Sequence, residues 1–154
     1  MHHQSLKSLD VEGKAGLVRL DLNVPLHNGK ITDDTRIIEA LPTLQYLLDR
    51  THKLVVMSHL GRPKQAGDRR YSLEPIGLRL SELLDREVVF VKDYAKEPVD
   101  QLLQRINNDQ FILLENLRFH EGEKKNDEHF YKKIAQGLDF YVNDAFGSCH
   151  RRHA

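Results

Sequence analysis

Tryptophan is absent from this chain, and cysteine occurs once, at Cys149. A lone thiol excludes an internal disulfide, so the fold must rest on its apolar core. One cysteine is ordinary for a reducing, cytoplasmic compartment. A surplus of one charge is also lacking: 23 basic and 23 acidic side chains leave a formal net charge of +0. Broad binding to nucleic acid or to an anionic membrane needs a basic excess, so neither is expected as a partner. No apolar run approaches the roughly 20 residues of a membrane span. The start, MHHQSLKSLD, has no apolar segment of the kind a secretory signal carries.

Several chemical signatures are missing as well. The chain contains neither G-x-x-x-x-G-K-[ST] nor G-x-G-x-x-G, the usual cradles for a nucleotide, and no H-E-x-x-H metal pair. It has no G-x-S-x-G nucleophile elbow, which leaves Ser148, His150 and Asp144 a poor hydrolase triad. Cys149 and His150 are adjacent, and adjacent side chains seldom point at each other.

What is present is alternation. Short apolar runs at Leu17–Leu22, Leu54–Met57, Val88–Val91, Phe111–Leu114 and Phe140–Val142 read as strands. Between them lie segments of helical period. Ile37, Ile38, Leu41, Leu44, Leu47 and Leu48 form one apolar stripe, preceded by the capping residues Thr32, Asp33 and Asp34. Pro42 within it predicts a kink or a late start, because proline removes a helical hydrogen bond. Further helices are predicted over Ser72–Leu84, from Pro98 through Ile106, and over Asp127–Gln136, closed by Gly137. Asn28, Gly29 and Lys30 read as a turn, and Lys64–Arg70 as a polar loop. Strands alternating with helices define an α/β fold: a three-layer, doubly wound parallel sheet with helices on both faces. The nearly uniform apolarity of LVVM and VVFV suits strands covered on both sides.

In such sheets, ligands bind beyond the carboxyl ends of the strands. Asp21 and Asn23 end the first strand and, two apart, face the same way. His59, Gly61 and Arg62 follow the second strand; Glu115, Asn116 and Arg118 follow the fourth; Asn143, Asp144, His150 and Arg151 follow the fifth. Arg36 lies in the helix after the first strand. One arginine after a strand is ordinarily a solvated surface charge. Several at equivalent places in successive repeats make a cationic rim suited to a small, highly charged anion, because guanidinium grips phosphate or carboxylate with paired hydrogen bonds. Without catalysis, the same rim would serve a standalone small-anion-binding module.

Longer strings narrow this reading. RLDLNVPL at Arg19–Leu26, ITDDTRI at Ile31–Ile37, SHLGRPK at Ser58–Lys64, LLENLRFHEGEKKN at Leu113–Asn126 and YVNDAFGSCHRRHA at Tyr141–Ala154 resemble, in order, signature blocks of the phosphoglycerate kinase family. The last block departs from the family's usual DAFGTAHRAHAS: Ser148, Cys149 and Arg152 replace threonine, alanine and alanine, so either Arg151 or Arg152 could reach a ligand. The resemblance implies that residues 1–154 are part of an amino-terminal 3-phosphoglycerate-binding domain, its sheet incomplete at the carboxyl end, with the nucleotide-binding domain absent. It implies that Asp21 and Asn23 hold the glycerate end of 3-phosphoglycerate or 1,3-bisphosphoglycerate and that His59 and Arg62 contact it. Arg118 and Arg151 would grip the phosphate, and Arg36 would be the catalytic residue that stabilises the phosphoryl group in flight. Mg-ADP or Mg-ATP would bind the missing domain of a monomeric, cytoplasmic full-length enzyme; this chain alone would hold no cofactor or metal and would be inactive.

Overall fold

Near-continuous burial along the central apolar runs, and burial every three to four residues along the helical segments between them, builds the molecule as layers. The structure is a computed structural model that describes residues 10–63, 68–94, 96–120, 137–144 and 151–152. In chain order these form β1 (Ala15–Leu20), a small hairpin of β2 (Leu26–His27) and β3 (Lys30–Ile31), α1 (Thr35–Arg50) and β4 (Lys53–Met57). There follow α2 (Glu74–Leu84), β5 (Glu87–Val91), α3 (Val99–Arg105), β6 (Gln110–Leu114), β7 (Phe140–Asp144) and β8 (Arg151–Arg152). Short 3₁₀ turns occupy Arg69–Tyr71 and Leu117–His120. The helix expected over Asp127–Gln136 lies outside the described residues.

The main sheet runs β5-β6-β4-β1-β7-β8. Its first five strands are parallel, as expected of the α/β class. β1 is central, paired with β4 on one side and β7 on the other, so the chain leaves β1 in one direction and rejoins it from the other. Val18, Leu20, Leu54, Val56, Phe111 and Leu113 face α1 and α2; Leu17, Val55, Met57, Ile112 and Leu114 face α3. Helices therefore cover both faces. On the first, Ile37, Leu44 and Leu47 of α1 meet Ile76 and Leu80 of α2, each fully buried. Burial of such a side chain contributes about 1.5–3 kcal/mol.

Several local expectations are corrected. β1 spans Ala15–Leu20 rather than Leu17–Leu22, because its ladder with β4 ends at the Arg19–Met57 pair and that with β7 at the Leu20–Asp144 pair. Asp21 and Asn23 therefore lie beyond the strand, although burial still alternates through Leu22 and Val24. α1 does not start late: it begins at Thr35 and continues through Pro42 to Arg50. Pro42 is exposed, so the Ile38 carbonyl that loses its helical donor faces solvent. Ile38 itself leaves the stripe and is 44% exposed, while Ala40 is buried in its stead. β5, expected to be covered on both sides, is the sheet edge, and most of it is only partly buried. β8 was not anticipated. It runs antiparallel to β7 and pairs Arg151 with Val142, which places Arg151 level with the middle of β7 rather than past its carboxyl end.

Gly16 shows how closely the central strand is fitted. A Cβ there would lie 2.0 Å from the Phe140 ring on β7. Gly16→Ala is expected to destabilise the chain by about 1–3 kcal/mol through overpacking; a denaturant midpoint equal to that of the parent chain would contradict this fit.

Candidate functional site

The floor of the sheet's carboxyl rim is polar and dry. Among the described residues, the buried polar side chains are Ser58, Glu115 and Asn116, and they sit immediately after β4 and β6. Burying such groups is tolerated only when they are bonded. Ser58 Oγ accepts the Leu22 N–H at 3.0 Å and donates to the His59 carbonyl at 3.0 Å, extending the junction of β1 and β4 after their ladder ends. Glu115 Oε1 accepts the Leu73 and Asn116 N–H groups, both at 2.8 Å, and its Oε2 accepts the Ser72 hydroxyl at 2.6 Å. Asn116 clamps the segment after β4: its Oδ1 accepts the Leu60 N–H at 3.0 Å, and its Nδ2 donates to the carbonyls of Leu60 at 2.7 Å and Tyr71 at 2.9 Å.

Above this floor, the ends of β1 and β4 meet. Asn23 Oδ1 accepts the Gly61 N–H at 2.9 Å, and the Asn23 N–H donates to Asp21 Oδ1 at 3.1 Å. Asp21 Oδ2 accepts from Arg36 Nη1. Gly61 has φ 57°, the left-handed region, and a Cβ on it would lie 2.4 Å from the Tyr71 ring. Glycine alone answers both conditions. His59 is half-buried and Arg62 exposed in the same segment.

Arg36 occupies the first turn of α1, which contains no acidic residue. The amino end of a helix carries partial positive charge, so a cation there is disfavoured and an anion welcomed. Its ion pair with Asp21 does little to offset this: the Arg36 side chain is 55% exposed and that of Asp21 15%, and open pairs contribute only about 0–1 kcal/mol. The pair orients a guanidinium at a place that stability alone does not favour. Asp33 supports the turn by accepting from the Thr35 N–H at 2.9 Å and hydroxyl at 2.6 Å, bonds that hold its carboxyl below the ordinary value.

Beside Asn23 and Gly61 opens a cleft of about 420 Å³ with Leu60, Tyr71 and Arg70 in its wall. Arg70 lies 5.6 Å above the Tyr71 ring and is gripped by Asp68 through Nε–Oδ1 at 3.1 Å and Nη2–Oδ2 at 2.9 Å. Neither residue stands out in the sequence, where Asp68 and Arg70 read as part of a polar loop.

Of the rim residues singled out from sequence, Asp21, Asn23 and Arg36 form one bonded group, and Asn23 joins it to the segment carrying His59 and Arg62. Arg118 lies in the 3₁₀ turn after β6, anchored by the Leu117 N–H to the Ser58 carbonyl at 3.1 Å. Asn143 and Asp144 close β7 opposite Arg19 and Leu20. Arg151 lies apart, in β8. Ser148, Cys149 and His150 fall outside the described residues. No group of three His, Cys, Asp or Glu side chains able to hold a metal occurs among the described residues.

A parallel α/β sheet with polar groups gathered at its carboxyl rim places this chain among α/β proteins, whose ligands, where they bind, sit at strand ends. The family model for phosphoglycerate kinase matches residues 6–154. The chain belongs to the phosphoglycerate kinase family. It is 48% identical over 151 residues to a phosphoglycerate kinase of Bdellovibrio bacteriovorus, covering 98% of this chain and 38% of that protein. Against the phosphoglycerate kinase of Nostoc punctiforme it is 51% identical, covering 97% of this chain and 38% of that protein. The solved phosphoglycerate kinase of Coxiella burnetii superposes with a TM-score of 0.75 at 36% identity, over 94% of this chain and 36% of that one. That of Pyrococcus horikoshii gives 0.75 at 31% identity, over 92% and 36%. The chain thus spans well under half the length of these relatives. No helix among the described residues is long and apolar enough to cross a membrane.

The Arg70 guanidinium, bonded to Asp68, holds that carboxyl below the ordinary value against a smaller opposing effect of burial. A lowered folded-state value adds stability above the ordinary carboxylate range, and that contribution disappears as pH falls through the lowered value. In a carbon-13 titration Asp68 is expected to protonate below an unperturbed aspartate, and Arg70→Ala to move the midpoint upward. An unmoved midpoint would contradict the assigned pairing.

Proposed function

We propose that this chain is the amino-terminal, 3-phosphoglycerate-binding part of a phosphoglycerate kinase. It binds 3-phosphoglycerate or 1,3-bisphosphoglycerate for reversible phosphoryl transfer with a magnesium nucleotide, which a further part of the full-length protein holds. The observation that carries this reading is Arg36, held by Asp21 at the amino end of α1 and joined through Asn23 to Gly61. That grouping gathers hydroxyl-binding and anion-binding chemistry at one mouth.

The reaction needs alignment and charge neutralisation more than covalent help from the protein. Asp21 and Asn23 take the glycerate end, as carboxylate and amide suit hydroxyl groups. His59 and Arg62 close on it from the segment after β4. Arg118 and Arg151 grip the non-transferred phosphate; both enter this reading through their motifs, and Arg151 must reach the mouth from the sheet edge. Arg36 stabilises the negative charge that spreads over the equatorial oxygens of the phosphoryl group as it passes to ADP. The proposed setting is glycolysis in the cytoplasm, with a monomeric full-length enzyme.

In the full-length enzyme, Arg36→Ala is expected to lower turnover by about a thousandfold, the scale for an arginine that neutralises a transferring phosphoryl group. A fall of less than about tenfold would remove Arg36 from that role. The 154-residue chain by itself is expected to form no ATP from 1,3-bisphosphoglycerate and ADP in a coupled assay, yet to show amide shifts at Arg36 and Arg118 when titrated with 3-phosphoglycerate. ATP formation, or a flat titration, would contradict the reading.

A further inference from the structure

We propose that Glu115, Asn116 and Tyr71 are positioning residues for the proposed substrate, fixing the Leu60–Gly61 backbone and, through it, Asn23, Asp21 and Arg36. The inference rests on the phosphoglycerate reading of that mouth. None of the three belongs to the set of cations and polar groups assigned to the ligand.

The argument begins with where buried polarity is placed. Glu115 is 3% exposed and Asn116 0%, yet neither supports the apolar layers; their bonds run to Leu60, Tyr71, Ser72 and Leu73. Glu115 accepts from Ser72, Leu73 and Asn116, so it sets the path of the segment that delivers Tyr71. Asn116 then binds Leu60 and Tyr71 together by donating to both carbonyls from one amide. That amide brings the Tyr71 ring under Gly61, close enough to exclude any Cβ. Gly61, pressed from below, directs its N–H to Asn23 Oδ1; Asn23 directs its own N–H to Asp21; Asp21 receives Arg36. Every step from the buried carboxylate to the exposed guanidinium is a bond or a ring contact. A set of buried polar groups of this kind fixes one arrangement when all of its members are bonded.

The sign of one effect separates positioning from simple charge. Glu115 is an acidic residue beneath an anion site, so its removal should tighten an anion if only Coulomb forces act. Positioning demands the reverse. In the 154-residue chain, Glu115→Ala is expected to raise the dissociation constant for 3-phosphoglycerate about tenfold, and Glu115→Gln, whose amide oxygen accepts the same N–H groups, to recover part of the loss. The Gly61 amide and the Arg36 side-chain resonances should move in the ligand-free E115A chain. Combined with Asn23→Ala, the loss should not multiply, because both changes break one path. Equal or tighter binding by E115A with an unmoved Gly61 amide, or fully multiplicative losses, would overturn the proposal. If E115A does not fold, Tyr71→Leu removes the ring under Gly61 from a partly exposed position and is read in the same way. If the parent chain binds no 3-phosphoglycerate, the functional reading fails; the Gly61 and Arg36 resonances then decide the positioning claim on their own.

Discussion

The carboxyl group of a residue only 3% exposed persists only where donors meet its oxygens, and that of Glu115 meets three. That requirement ties the end of β6 to the entry of α2, and Asn116 beside it ties both to the segment after β4. The sheet brings three strand ends to one level; this pair of side chains makes the loops above them a single piece. Each of these side-chain bonds runs to loop backbone or to Ser72, so the polar choice answers to the loops rather than to the core. Ser58 plays the matching part between β1 and β4, where its hydroxyl receives the Leu22 N–H after the ladder runs out.

Much of the architecture is written in short-range pattern. Five apolar runs give five parallel strands, because short, uniformly apolar runs alternating with helices have few other solutions. The stripe of α1 is legible from Ile37, Leu44, Leu47 and Leu48, all buried. Its failures are instructive. Ile38 reads as core by spacing but falls at the stripe's margin, and Pro42 reads as a late start for the helix but lies exposed in its interior. VVFV reads as interior because apolarity does not reveal strand order, and order is what puts β5 at the edge. Nothing local announces that Arg151 turns back beside Val142, since strand pairing across β7 depends on the path of the intervening chain.

The site was legible to a different degree. Asp21, Asn23 and Arg36 stand out because acidic, amide and guanidinium groups follow apolar runs, and the structure bonds the three together. Their grouping arises otherwise than expected: beyond the strand, Asn23 reaches Asp21 through its backbone and Gly61 through its side chain. Tyr71 and Arg70 carry no sequence signal, because their importance lies in what they press against. Gly61 carries half a signal. A glycine beside a loop arginine suggests a turn, but only the ring beneath it explains why no larger residue fits.

The central place of β1 carries a consequence for synthesis. One flank of this strand is satisfied by β4, soon after α1, whereas the other waits for Phe140–Asp144. A ribosome adding roughly 5–20 residues per second leaves that flank open for on the order of ten seconds. Throughout this interval Gly16 has no Phe140 ring against it, and Leu17 and Arg19, which share the β7-facing flank with Ala15, present unanswered backbone groups. The nascent chain therefore carries an open strand flank inside its future sheet, and the closing of that seam by β7 ends it.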